Sequence, residues 1–198
     1  MDGAAIYDIA EKQYLNPIAM SPSDAYSLCN ICRGLKTGYC IYAVRDNSMM
    51  IYRGGNISWA EQQEYELMKR SPYRNYLEGD FVKDDQIMFI RVIDINRKID
   101  QLEQQFTKLL APGRFRMVRR AQPKMEGYSG LYFYHPKAAV ENQKRALLKK
   151  LNEAEKQKLL PVDVLLKRDY RSDNDAIHLL NRTRNIFEPV IKPWNRGT

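Results

Sequence analysis

The chain has 198 residues, 44% of them hydrophobic and 28% charged, proportions that exclude disordered, collagen-like and mucin-like proteins. No run approaches the roughly 20 apolar residues needed to cross a bilayer, and the first residues hold no basic cluster followed by an apolar stretch. Neither a membrane span nor a secretory leader is therefore expected, and a cytoplasmic location follows. The formal charge of +8 is uneven: residues 1–111 carry 13 basic and 15 acidic side chains, whereas residues 112–198 carry 19 and 9. A positive excess confined to one part of a chain points to a polyanionic partner.

Ile6, Ile9, Ala10 and Tyr14 form a weak helical pattern that ends at Asn16 and Pro17. A second helix is expected from Pro22, with Ser21 as its N-cap, to Gly34 or Gly38. Residues 39–44 and 49–53 are rich in β-formers and flank Arg45-Asp46-Asn47-Ser48, which predicts a hairpin. Ser58 and Glu61 have the spacing of a capping box, opening a helix to about Lys69. Residues 72–86 read as an irregular polar connection anchored by Tyr73 and Tyr76.

Met88, Val92, Ile95, Ile99, Leu102, Phe106 and Leu109 follow alternating steps of four and three, which predicts one heptad-patterned helix over 88–110, ended by Pro112 and Gly113. Its seam can pair with a helix of the same chain, most readily 138–160, or form a homodimer. Residues 114–120 and 131–135 alternate as half-buried strands around a turn-rich segment. A long helix over 137–160 places Val140, Leu147, Leu148 and Leu151 inside. A strand at 162–167, a final helix from Ser172 or Asp173 to Phe187, and an irregular tail complete the chain. The mixture predicts an α+β protein of short antiparallel hairpins packed against several helices. Residues 1–198 form a single domain, with sub-structure dividing near 86/87 into a neutral to acidic part and a basic part.

Cys29 and Cys32 have the C-x2-C spacing of a zinc site, but no second pair completes it, and with Cys40 they read rather as buried hydrophobes. Three cysteines near one end are not a secreted disulfide framework. Phosphate-binding glycine loops, nucleophile elbows and HExxH are absent from the sequence, and Asp80, Asp84 and Asp85 lack the glycine-bearing spacing of a calcium loop. No metal or cofactor is expected.

The basic part carries the functional expectation. Arg114, Arg116 and Arg120 fall on one face of their strand, and Tyr132 and Tyr134 share a face of theirs; whether the two sets meet depends on the register, and if they do, guanidinium groups for phosphates stand beside rings for unpaired bases. With Arg119, Lys124, Lys144, Arg145, Lys149 and Lys150, these residues describe a non-catalytic protein that binds DNA, RNA or a nucleoprotein complex through residues 114–158. A protein-binding adaptor using the 88–110 helix is the second non-enzymatic reading.

An enzymatic alternative rests on short fragments. Tyr52-Arg53-Gly54 resembles the arginine-bearing first strand of mono-ADP-ribosyltransferases, and Gly127-Tyr128-Ser129 followed by Pro136-Lys137-Ala138-Ala139 is similar to that family's serine-bearing strand and the helix after it. The resemblance implies Arg53 against NAD phosphate and Glu188 as the catalytic acid. The family's Ser-Thr-Ser reads Tyr-Ser-Gly here, and Ile186 and Pro189 depart from its pattern around the glutamate.

Overall fold

Ser21 does what its place before Pro22 requires: its hydroxyl accepts from the Asp24 amide at 3.1 Å and opens α1 (Pro22–Gly34). The computed structural model describes residues 2–8, 12–71, 74–122 and 125–150, with the backbone alone at 147, 148 and 150. Residues Met1–Lys144 form one compact unit; of a second, Arg145–Thr198, the described residues include only the end of a helix. The expected strand at 162–167 and the final helix lie outside the described residues.

The chain begins with β1 (Ile6–Asp8) and β2 (Gln13–Leu15), a small antiparallel pair in place of the expected helix. Tyr7 and Tyr14 are register partners with ring centroids 4.8 Å apart, a cross-strand contact that a helical reading of the same residues overlooks. After α1 come β3 (Tyr39–Arg45) and β4 (Ser48–Gly54), the expected hairpin. Asp46 and Asn47 both take positive φ, the two-residue turn whose twist suits a hairpin. The Ser58 hydroxyl caps α2 (Trp59–Met68), but the Glu61 carboxylate does not reach back as a capping box would; it turns inward to the sheet.

Residues 72–86 are not wholly irregular, because β5 (Asn75–Glu78) adds to β4 in parallel. The larger correction falls on the heptad segment. It is split between β6 (Gln86–Ile95) and α3 (Asn96–Leu109). Ile87, Met88, Phe89, Ile90, Val92 and Ile93 are all buried, because β6 is a central strand covered on both faces and demands bulk at successive positions. Heptad spacing picked out Met88 and Val92 and skipped the rest of that run. β7 (Arg116–Ala121) and β8 (Tyr128–Tyr134) then pair as the expected hairpin, and α4 (Val140–Lys150) follows.

One six-stranded sheet, in the order β5, β4, β3, β6, β8, β7, is antiparallel except for β4–β5 and runs across the expected 86/87 division. Its first face carries Ile41, Ala43, Ile87, Ile90, Val92, Leu131 and Phe133, covered by α1 and α3. Phe106 of α3 meets Phe133 at 4.7 Å. Ile99, Leu102 and Phe106 are thus packed on the chain's own sheet. Val140, expected inside, is 47% exposed.

The second face carries Cys40, Tyr42, Ile51, Phe89, Arg91 and Tyr134. It is covered in pieces: by α2 over Cys40 and Arg91, and by Ala4 and Ala138 over Tyr134 and its neighbours. No described helix is long and apolar enough to cross a membrane.

Candidate nucleic-acid interface

The register of β7 on β8 determines whether the arginines meet the tyrosines. Arg116 lies opposite Tyr134, Val118 opposite Tyr132 and Arg120 opposite Gly130, so both arginines and both tyrosines share the second face. The Arg116 guanidinium lies 4.6 Å from the Tyr134 ring centroid, and that of Arg120 lies 5.8 Å from Tyr132. The two tyrosine rings are nearly coplanar in orientation, 7° apart, with centroids at 6.5 Å. β7 is the last strand of the sheet, so this basic row runs along an edge.

An internal anion is already seated there. The Asp2 carboxylate forms an ion pair with Arg120 and accepts from the Tyr134 hydroxyl at 2.6 Å, while Arg116 donates to the Asp2 carbonyl at 2.7 Å. Burial, and then the neighbouring Asp2 charge, push the Tyr134 phenol upward, so it remains a donor. Gly3 has φ +84°, and a Cβ there would lie 2.1 Å from the Ala139 carbonyl carbon, so only glycine lets the segment pass the start of α4. Gln143 holds it by donating to the Gly3 and Asn16 carbonyls at 3.0 and 2.9 Å.

Arg114 and Arg119 do not join this group. Arg114 precedes β7 and bonds Asp24 of α1 at 2.6 Å; Arg119 faces the other way and bonds Asp100 and Glu103 of α3 at 2.5 and 3.2 Å. Tyr134 is 1% exposed, too buried to offer its ring to a base. Lys144 is half-buried on α4, and Arg145 and Lys149 are exposed there; Lys124 and the Lys150 side chain lie outside the described residues.

Three residues of the same face went unread. Trp59, at the head of α2, is 61% exposed, and its ring lies 5.7 Å from that of Tyr128 on β8. Gln122 donates to the Tyr132 hydroxyl at 3.3 Å. Tyr128 continues the alternation of Tyr132 and Tyr134 past Gly130, a signal present in the sequence once the strand is extended backwards. Trp59 carries no such signal, since exposure in a first helical turn depends on where the helix docks.

The other chemical candidates disperse. Cys29 and Cys32 of α1 face the first side of the sheet, while Cys40 faces the second, where its thiol donates to Glu61 at 3.0 Å. Among the described residues no three His, Cys, Asp or Glu side chains converge as metal ligands. Burial pushes the Cys29 thiol up to about 11 and raises the Cys40 thiol as well, so neither is an activated nucleophile. Asp85 is tied to Arg45 at 2.9 Å, to the Tyr52 hydroxyl at 2.6 Å and to the Val82 amide at 2.8 Å, an internal lock for its loop.

Arg53 and Ser129 stand on β4 and β8 with two strands between them, and they face opposite sides of the sheet. Arg53 bonds Gln62 at 2.5 Å and stacks on Tyr65 at 4.2 Å. The described structure therefore does not bring together the arginine and serine of the transferase resemblance, and Glu188 lies outside the described residues.

The fold is α+β, with a mixed six-stranded sheet and an arginine–tyrosine row along one edge. No protein-family description and no curated protein matches the chain. Among solved structures it is similar to the crystal structure of SMU.1108c from Streptococcus mutans UA159, at 14% identity and a TM-score of 0.48, over 75% of this chain and 52% of that one. The chain spans about half the length of that protein, and a likeness so slight passes nothing from one to the other.

Proposed function

We propose that this protein binds nucleic acid, alone or within a nucleoprotein complex, and catalyses no reaction itself. One observation carries the reading: the β7–β8 register sets Arg116 and Arg120 beside Tyr134 and Tyr132 on one face of an edge strand. Guanidinium groups in a row recognise phosphates, and of the two rings beside them the half-buried Tyr132 is the one that can meet a base, Tyr134 being buried and serving as a hydroxyl donor. The Asp2 carboxylate supports the reading, since the Arg120 guanidinium and Tyr134 hydroxyl that hold it are donors a phosphate oxygen takes, with the Arg116 guanidinium beside them on the Asp2 carbonyl. Binding then exchanges one anion for another, and the N-terminal segment yields its place to the ligand. The excess of positive charge after residue 112 is in keeping with a polyanionic partner.

The test is a gel-shift titration of the whole chain against single- and double-stranded DNA and RNA at two salt concentrations. Affinity should be measurable at low salt and fall steeply as salt rises, because phosphate contacts release counterions. Absence of binding to all four at low salt refutes the reading.

A further inference from the structure

The second face of the sheet has a less covered end, which adjoins the Arg120 arm of the Asp2 clamp. Trp59 is the most exposed aromatic side chain there, and Ile95, the register partner of Tyr128, is 44% exposed. An indole placed to close the core would not stand in water over most of its surface, nor would a neighbouring isoleucine. Along β8 the same face runs Tyr128, Gly130, Tyr132. Gly130 is buried, and a Cβ there would meet the Tyr132 ring edge, Gln122 and Ile93 at 3.1, 3.2 and 3.2 Å, so these side chains floor the space between the two half-buried tyrosines.

We infer that Trp59, Tyr128 and Tyr132 form a stacking platform for unpaired bases, and that the ligand of this face is a single strand. The inference rests on the nucleic-acid reading above and deepens it by naming the strand class. Its geometry divides the work. Arg120, opposite Gly130 on β7, has a side chain 46% exposed and lies on the edge side, where a phosphate displacing Asp2 would run. The rings lie inward on β8, where the bases of that strand would fall. A duplex cannot use such a platform, because its bases present edges in the grooves while their faces stay stacked on one another. A lipid surface fits less well, since the platform adjoins a charged arginine and a glutamine and takes two of its three rings from a sheet, not from one amphipathic helix.

Trp59 reports on its own occupation. The chain has two tryptophans, so a Trp194→Phe variant leaves Trp59 as the sole indole emitter. Titration of that variant with oligothymidylate should quench and shift its emission to saturation, whereas a duplex of equal length should leave it nearly unchanged. Trp59→Ala and Tyr128→Ala should each weaken oligothymidylate binding about ten-fold, the order expected for loss of one stacked base. Trp59→Phe should retain most of the affinity, and unfolding of Trp59→Ala should stay close to wild type because the ring is exposed. Gel-shift binding without any change in Trp59 emission, with wild-type affinity in Trp59→Ala, overturns the platform and leaves the nucleic-acid reading standing. Equal quenching by duplex overturns the single-strand assignment. Failure of the wild-type chain to shift any nucleic acid overturns both.

Discussion

The two faces of the sheet are built on different principles. The first is closed by apolar stripes of α1 and α3, and its stability comes from burying Leu28, Ile99, Leu102 and Phe106 against Ile90, Val92 and Phe133. The second is closed piecemeal, and polar groups hold its parts together. Arg91, 6% exposed at its side chain, binds Glu61 at 2.5 Å and Glu64 at 2.9 Å and so fixes α2 to β6; Asp2 fixes the N-terminal segment to β7 and β8. Apolar burial is non-directional and leaves nothing over for a ligand. Directed polar ties cover a face selectively, and here they leave the Trp59 end open.

The largest effects should separate the two kinds of closure. Phe106→Ala opens a cavity on the first face and should cost about 3–5 kcal/mol in denaturant unfolding. Arg91→Met should cost a similar amount, about 3–5 kcal/mol, because Glu61 is left buried and unpaired. The difference lies in rescue: Arg91→Met combined with Glu61→Met should recover much of the loss, since an apolar pair can replace a buried ion pair at little cost. No second substitution at a charged residue should rescue Phe106→Ala. Equal behaviour of the two variants would erase the distinction between the faces.

A smaller effect is expected at the Asp2 clamp. Asp2→Asn removes the charge that competes with phosphate and should tighten nucleic-acid binding about two- to five-fold at low salt, the range of a partly exposed ion pair. Asp46→Asn is the control, removing one charge at a turn position of positive φ that asparagine also adopts. Equal tightening in both variants would reduce the effect to net charge.

The smallest effect concerns acid. Burial alone would push the Asp85 carboxyl up, but hydrogen bonds from Arg45, Tyr52 and the Val82 amide together hold it below its ordinary value of 3.8. A depressed native value means the unfolded chain takes up the proton first. The contribution of Asp85 is therefore fully present above the ordinary value and is lost as pH falls through the native one. Asp85→Asn should show a shallower loss of stability with acid than wild type over that range, measured by thermal unfolding at a series of pH values.

What could be read in advance follows the same division. Ser21 before Pro22, the Asp46-Asn47 turn and the alternation of Arg116, Tyr132 and Tyr134 are local signals, and each specified its element. β6 was misread because Ile99, Leu102 and Phe106 form a true helical stripe, and Met88, Val92 and Ile95 happen to extend its spacing backwards into a strand. The unbroken bulk of Ile87, Phe89, Ile90 and Ile93 was the discriminating feature. That Arg116, Arg120, Tyr132 and Tyr134 belong to paired strands was legible, but their register was not, because the turn between β7 and β8 sets it. The Asp2 clamp joins residues 118 positions apart, and nothing local encodes such a contact.

The central claim is that Arg116 and Arg120 receive phosphates, and salt dependence tests it most directly. Affinity for oligothymidylate should be measured across a salt series for wild type and for Arg116→Gln/Arg120→Gln, with folding checked by thermal unfolding. Loss of two phosphate contacts should weaken binding at low salt and make the plot of log affinity against log salt shallower by about 1.4, at roughly 0.7 per contact on a single strand. A folded double variant with the affinity and slope of wild type would contradict the account.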